Sequence, residues 1–248
     1  MKYFFILFLL FQINLFAEDS PDGDDGGGIL NDMEKSNGNS SDNAFIAELI
    51  LNLIVYFPEV FIGSSNTYSF TEYPYQNDKG MYDEFGNKEW HLDASVYYTQ
   101  EMDFVKGINF DANLYPSKYV SINVKHNRFS EQYDFKKNEL NFTQAYLQYI
   151  RFRYERFNFQ WGLGLINMNG EKSHYGLGFT SGFNAYIHKP ISIDMDYNFG
   201  ILNDSYFNEF NIRLNLHSKR IKVFLGYKYI SINESSLNNI MIGMGYNF

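Results

Sequence analysis

The side chains with chemical potential in this 248-residue chain are charged ones spaced two apart in strand-like stretches. Asp93, Asp111, Lys125, Arg151, Arg153, Asp194, Asp196, Arg213, Lys222 and Lys228 share their faces with Ser, Asn, Gly and Gln and alternate with apolar neighbours. Successive strand residues point to opposite sides, so each such set lies on one face. Brought together inside a closed wall, opposite charges pair and hydrogen-bond rather than stay buried alone. The set therefore reads as a lumen charge network. A second chemistry open to it is a narrow polar path, or a small anion site around Arg151, Arg153 and Arg213.

Covalent catalysis needs a nucleophile within hydrogen-bond reach of a base. The adjacent pairs are Ser173 with His174 and His217 with Ser218. Neighbours in a strand face opposite ways, so neither pair serves as nucleophile and base by itself. His188, before Lys189 and Pro190, reads as a turn residue. Asp22 to Asp25 start like a calcium loop, but Gly26 replaces a ligand and Met33 stands where a bidentate Glu is required. The chain has no cysteine, which excludes disulfides, thiolate metal sites and a lipid-modified N-terminal Cys. No catalytic residue, metal or cofactor is expected. A formal charge of −9 without Lys/Arg clusters argues against a nucleic-acid surface.

The elements that position these charges follow from composition along the chain. Residues 1–17 carry Lys2, an apolar run and a small Ala17 before Glu18, the pattern of a secretory signal peptide. Residues 18–42 are rich in Asp, Gly, Ser and Asn and read as an acidic disordered linker. Residues 43–58 read as a short apolar helix, capped by Asp42 or Asn43 and stopped by Pro58, that plugs the barrel, lies along a membrane leaflet or packs in a core. Residues 59–88 form a Tyr-rich connecting segment in which Tyr68 and Phe70 offer an extra strand.

From residue 89 to 248 the period is two. About ten strands follow, with a bulge near Thr143 expected because Gln144 and Gln148 interrupt an apolar face. Short connections (116–118, 155–156, 188–189, 218–219) alternate with stretches read as longer loops (128–138, 169–172, 203–206, 233–237). An all-β, antiparallel, up-and-down transmembrane barrel preceded by a short N-terminal helix accounts for this pattern. The aromatics Trp90, Tyr98, Phe152, Tyr154, Phe157, Tyr197, Phe199, Tyr227, Tyr229, Tyr246 and Phe248 lie towards strand ends on the apolar face, as membrane interfaces require.

The chain closes on Asn238-Asn-Ile-Met-Ile-Gly-Met-Gly-Tyr-Asn-Phe248. A terminal Phe248, with Tyr246 two residues before it and Gly243 five before it, resembles the C-terminal insertion signal of bacterial outer-membrane β-barrel proteins; Met241 departs from it where a polar residue is more common. The resemblance covers the last strand, and the pattern as a whole looks like members of that class without an assigned activity. It implies the bacterial outer membrane as location, with outer-membrane lipid and the barrel-assembly machinery as partners. The expected function is a non-enzymatic scaffold or narrow polar pore. The competing readings are an outer-membrane-embedded hydrolase or lipid-modifying enzyme, and a soluble periplasmic lipocalin-like barrel. A small polar solute, or a surface ligand at residues 128–138 with Phe129, Tyr133 and Phe135 exposed, would be a further partner.

Overall fold

Period-two alternation becomes ten antiparallel strands in the computed structural model, which describes residues 28–36, 90–101, 105–117, 119–133, 136–154, 156–203 and 205–248. A helix, α1 (Ile29–Ser36), comes first. The strands are β1 (His91–Glu101), β2 (Val105–Tyr115), β3 (Val120–Tyr133), β4 (Lys136–Tyr154) and β5 (Phe157–Asn169), then β6 (Ser173–His188), β7 (Ile191–Leu202), β8 (Ser205–Ser218), β9 (Ile221–Ile232) and β10 (Ser235–Asn247). Each pairs with its neighbours in sequence, and β10 returns to β1, closing the barrel. Closure leaves no sheet edge with unpaired backbone groups.

The closing seam is set by the terminal strand. Ser95 lies opposite Gly245 and Tyr97 opposite Gly243. The last residue takes part, because the Phe248 N–H donates to the Leu92 carbonyl at 2.9 Å. A Cβ on Gly243 would come within 2.6 Å of the Val96 carbonyl oxygen and 2.7 Å of the Phe224 ring. Glycine there opens the slot in which Tyr97 and Phe224 meet edge to face, with centroids 5.8 Å apart.

Two rims result from the topology. The proximal rim carries the start of β1 and the end of β10; the distal rim carries the β1–β2, β3–β4, β5–β6, β7–β8 and β9–β10 connections. Every connection spans two to four residues. The expected alternation of short turns and long loops is therefore not present. Residues 128–138 are mostly strand, because β3 and β4 stay paired as far as Tyr133 and Lys136. Phe129 is fully buried rather than displayed, its ring 6.1 Å from that of Phe142. The side chain of Tyr133, and Phe135, lie outside the described residues.

The register irregularity in β4 falls between Ile150 and Phe152, not near Thr143. No bulge is needed at Thr143, because Leu140, Phe142, Gln144, Tyr146, Gln148 and Ile150 all point inward in one unbroken alternation. Gln144 and Gln148 need no repair, since the face they share is the lumen wall.

Residues 29–36, part of the stretch expected to be a disordered linker, form α1. Leu30 and Met33 are buried against the distal lumen, where Met33 serves as core rather than near a calcium loop. The expected signal peptide, the apolar helix at 43–58, and the segment 59–88 with Tyr68 and Phe70 lie outside the described residues. So do Asp22 to Asp25 and Gly26.

Candidate functional site in the barrel lumen

Inward side chains form three layers. The distal layer is apolar: Val105, Phe129, Leu140, Phe142, Met168, Leu202, Phe207, Ile232 and Leu237 are buried around Leu30 and Met33 of α1. Phe142 lies between Phe129 and Phe207, with its centroid 5.7 Å from that of Phe207.

The middle layer is ionic. Lys125 on β3 contacts Asp196 on β7 at 2.5 Å and Glu209 on β8 at 3.6 Å. Lys228 on β9 reaches the same Glu209 at 3.3 Å, and neither side chain is exposed at all. Arg213 on β8 spans the barrel to Asp111 on β2 at 2.9 Å and also meets Asp196 at 3.3 Å. Three cations thus face three carboxylates, and their formal charges cancel.

Neutral amides surround the two shared carboxylates and Lys228. Glu209 accepts hydrogen bonds from Gln144 (2.6 Å), Asn211 (2.7 Å) and Asn198 (3.2 Å). Asp196 accepts from Asn211 at 2.7 Å. Lys228 donates to Asn127 at 2.8 Å and sits 5.6 Å from the Tyr97 ring centroid. A buried ion pair is tolerated when its geometry is good and its other lone pairs and protons are satisfied.

The proximal layer is polar. Lys222 pairs with Asp93 at 2.7 Å, and Asn184 donates to Asp194 at 2.8 Å. Asn123 donates to both Asp111 and Asn113 at 2.8 Å. Between the middle and proximal layers lies a cavity of about 30 Å³, lined by Asp93, Asp111, Lys125, Asp194, Arg213 and Lys222 among others. That is room for about two water molecules.

The structure brings Lys125, Asp111, Asp196, Arg213 and Lys228 into one connected set and Asp93 with Lys222 into another. Asp194 is buried on the same inner face beside Asn184. The side chains of Arg151 and Arg153 lie outside the described residues, and with them the expected anion site. Glu209, the carboxylate shared by two lysines, was not among the expected residues. Its signal is parity: Glu209, Asn211 and Arg213 alternate with apolar neighbours on one strand.

Ser173 donates to Asn169 at 3.0 Å, while His174 Nδ1 lies 2.7 Å from Asn203 Nδ2, so the two make separate rim contacts. His188 Nδ1 lies 2.6 Å from the Lys189 carbonyl oxygen in a turn. His217 turns inward and Ser218 outward, and the partner of His217 is Ser192 on β7, with Oγ and Nε2 2.7 Å apart. Sequence spacing gave no hint of that pair, because it forms across strands. Asn215 also donates to Ser192 Oγ at 3.1 Å, and Ser192 is 1% exposed. A substrate carbonyl has no approach to that oxygen, and the trio ties β7 to β8 at the proximal mouth.

No protein-family model matches the sequence, and no curated protein does. Among solved structures, the chain is similar to Ail, the attachment invasion locus protein of Yersinia pestis, at 11% identity and a TM-score of 0.30, over 64% of this chain and 96% of that one. At that score the likeness adds nothing to the closed ten-strand topology already described.

Proposed function

We propose that the chain is an integral β-barrel of the bacterial outer membrane with a closed lumen, acting as a scaffold without enzymatic activity rather than as an open channel. The observation that carries the reading is the inverted polarity of the wall: charges inside, bare apolar side chains outside. Ile108 and Ile240 are each 66% exposed and Leu165 is 64% exposed, with Val96, Leu147, Leu177, Leu214, Leu225 and Ile242 also bare. A contiguous apolar surface on this scale marks contact with lipid or another apolar phase. A soluble lipocalin-like barrel needs the opposite polarity.

Dimensions agree with a bilayer. On β7 the outward residues Ile191, Ile193, Met195, Tyr197, Phe199 and Ile201 form an unbroken apolar row. Ten residue steps give about 34 Å along the strand and, at a tilt of about 40°, about 26 Å along the axis, against an apolar band about 25 Å tall. Aromatic side chains lie towards both rims: Trp90, Tyr246 and Phe248 proximally, Tyr98, Tyr175 and Tyr227 distally, all exposed. Amphipathic rings of this kind favour the headgroup level. The terminal strand with Gly243, Tyr246 and Phe248 is the segment that the assembly machinery would engage.

Closure is supported by the cancelled charges of the middle layer and the two-water cavity beside them. Folded protein inserted in a planar lipid bilayer is expected to show no discrete conductance steps. Reproducible unitary steps from the unaltered chain would replace the closed scaffold with a pore.

A further inference from the structure

We propose that the distal rim is a receptor for a short acid-bearing amphipathic helix and that α1 of this same chain is its resident, detachable plug. Two reciprocal seats argue for it. In the first, Glu131 of β3 presents its carboxylate to the start of α1, where Ile29 N–H donates to Oε1 at 3.0 Å and Leu30 N–H to Oε2 at 3.2 Å. These are N–H groups that a helix cannot satisfy internally, and the negative charge lies at the positive end of the helix.

In the second seat the roles are exchanged. Glu34 of α1 presents its carboxylate to the β5–β6 turn and accepts from Lys172 N–H at 2.7 Å and Glu171 N–H at 3.0 Å. Each seat is lined by a glycine: a Cβ on Gly28 would lie 2.5 Å from Glu131 Cδ, and one on Gly170 would lie 2.8 Å from Glu34 Cδ. Any larger residue at either glycine would push its carboxylate out.

Between the seats, Leu30 and Met33 fill the apolar distal layer. Their spacing of three places both on one helix face. At eight residues α1 is far too short to be stable in water on its own. Its helical form therefore depends on the seat, and release and unwinding are one event. Phe129, Leu140, Phe142 and Leu237 are buried in one apolar cluster with the Leu30 and Met33 side chains of α1.

The chain has no cysteine, so a single introduced thiol reports its own burial. In otherwise unaltered full-length protein, Met33→Cys should react with a charged, membrane-impermeant maleimide at least about 100-fold more slowly than the exposed control Lys137→Cys, because reaction must wait for local opening. Replacing both clamps, Glu131→Ala with Glu34→Ala, should speed labelling of Met33→Cys by about tenfold or more while heat-modifiable gel migration stays that of the folded barrel. If Glu131→Ala impairs assembly, Gly28→Val, outside the barrel wall, provides the same release. Labelling of Met33→Cys within about threefold of the control, or protection unchanged by the clamp variants, would overturn the proposal.

Discussion

Glu209→Gln is the substitution most sensitive to whether the middle layer is a dry ionic network. The replacement keeps size and one acceptor oxygen but removes the charge that Lys228 approaches at 3.3 Å and Lys125 at 3.6 Å. Lys228 is fully buried, with Asn127 and Tyr97 as its other partners. Three cations would then face two carboxylates. Breaking a buried pair from one side costs about 3–5 kcal/mol, against about 5–15 kcal/mol for the whole stability of a typical domain. Thermal unfolding in detergent, followed by loss of the fast-migrating folded band, should shift down by on the order of 10 °C. Adding Lys228→Met restores the charge balance and should recover most of the loss, since an apolar replacement of a whole pair is often near neutral. A loss under about 1 kcal/mol for Glu209→Gln alone is the behaviour of a solvated pair. That result would refute the dry network.

Three further substitutions probe the wall and the seam. Deleting Phe248, or Phe248→Ala, should reduce the assembled fraction while leaving synthesis unchanged, as read from folded and unfolded bands against total protein. Gly243→Val places side-chain atoms against Tyr97, Val96 and Phe224 and should cost about 1–3 kcal/mol by overpacking, measured as a lowered urea midpoint. Ile242→Arg, midway along the bare outer face of β10, should destabilise the lipid-inserted barrel by about 2–4 kcal/mol; in a water-facing wall it would be neutral.

Strand number, order and facing were legible because alternation is strict wherever outside and inside differ in polarity. On β7, Ser192, Asp194, Asp196 and Asn198 against Ile191, Ile193, Met195 and Tyr197 separate two faces without a break. Reading failed where that contrast reverses. Beyond the apolar belt the outward residues Arg128, Ser130 and Glu139 are polar and the inward Phe129 and Leu140 apolar, so paired strand looked like a loop carrying exposed aromatics. The same reversal hid the continuity of β4 through Gln144 and Gln148.

The charged set was readable as a list but not as a geometry. Asp111 to Arg213 and Lys125 to Asp196 are contacts across the lumen, fixed by closure rather than by spacing along the chain. Ser192 with His217 is set instead by the register of two adjacent strands, β7 and β8. The helix α1 was illegible for another reason: an acidic, glycine-flanked stretch with two inward apolar residues has too little helix signal of its own. Its partners, Glu131 and the β5–β6 turn, lie about a hundred residues or more away.

An apolar outer wall in lipid around a charged interior is tested by cell fractionation with heat-modifiable gel migration. The chain is expected to stay with the outer-membrane fraction through alkaline carbonate extraction and to migrate faster unheated than boiled. A soluble periplasmic product with no migration shift would contradict it.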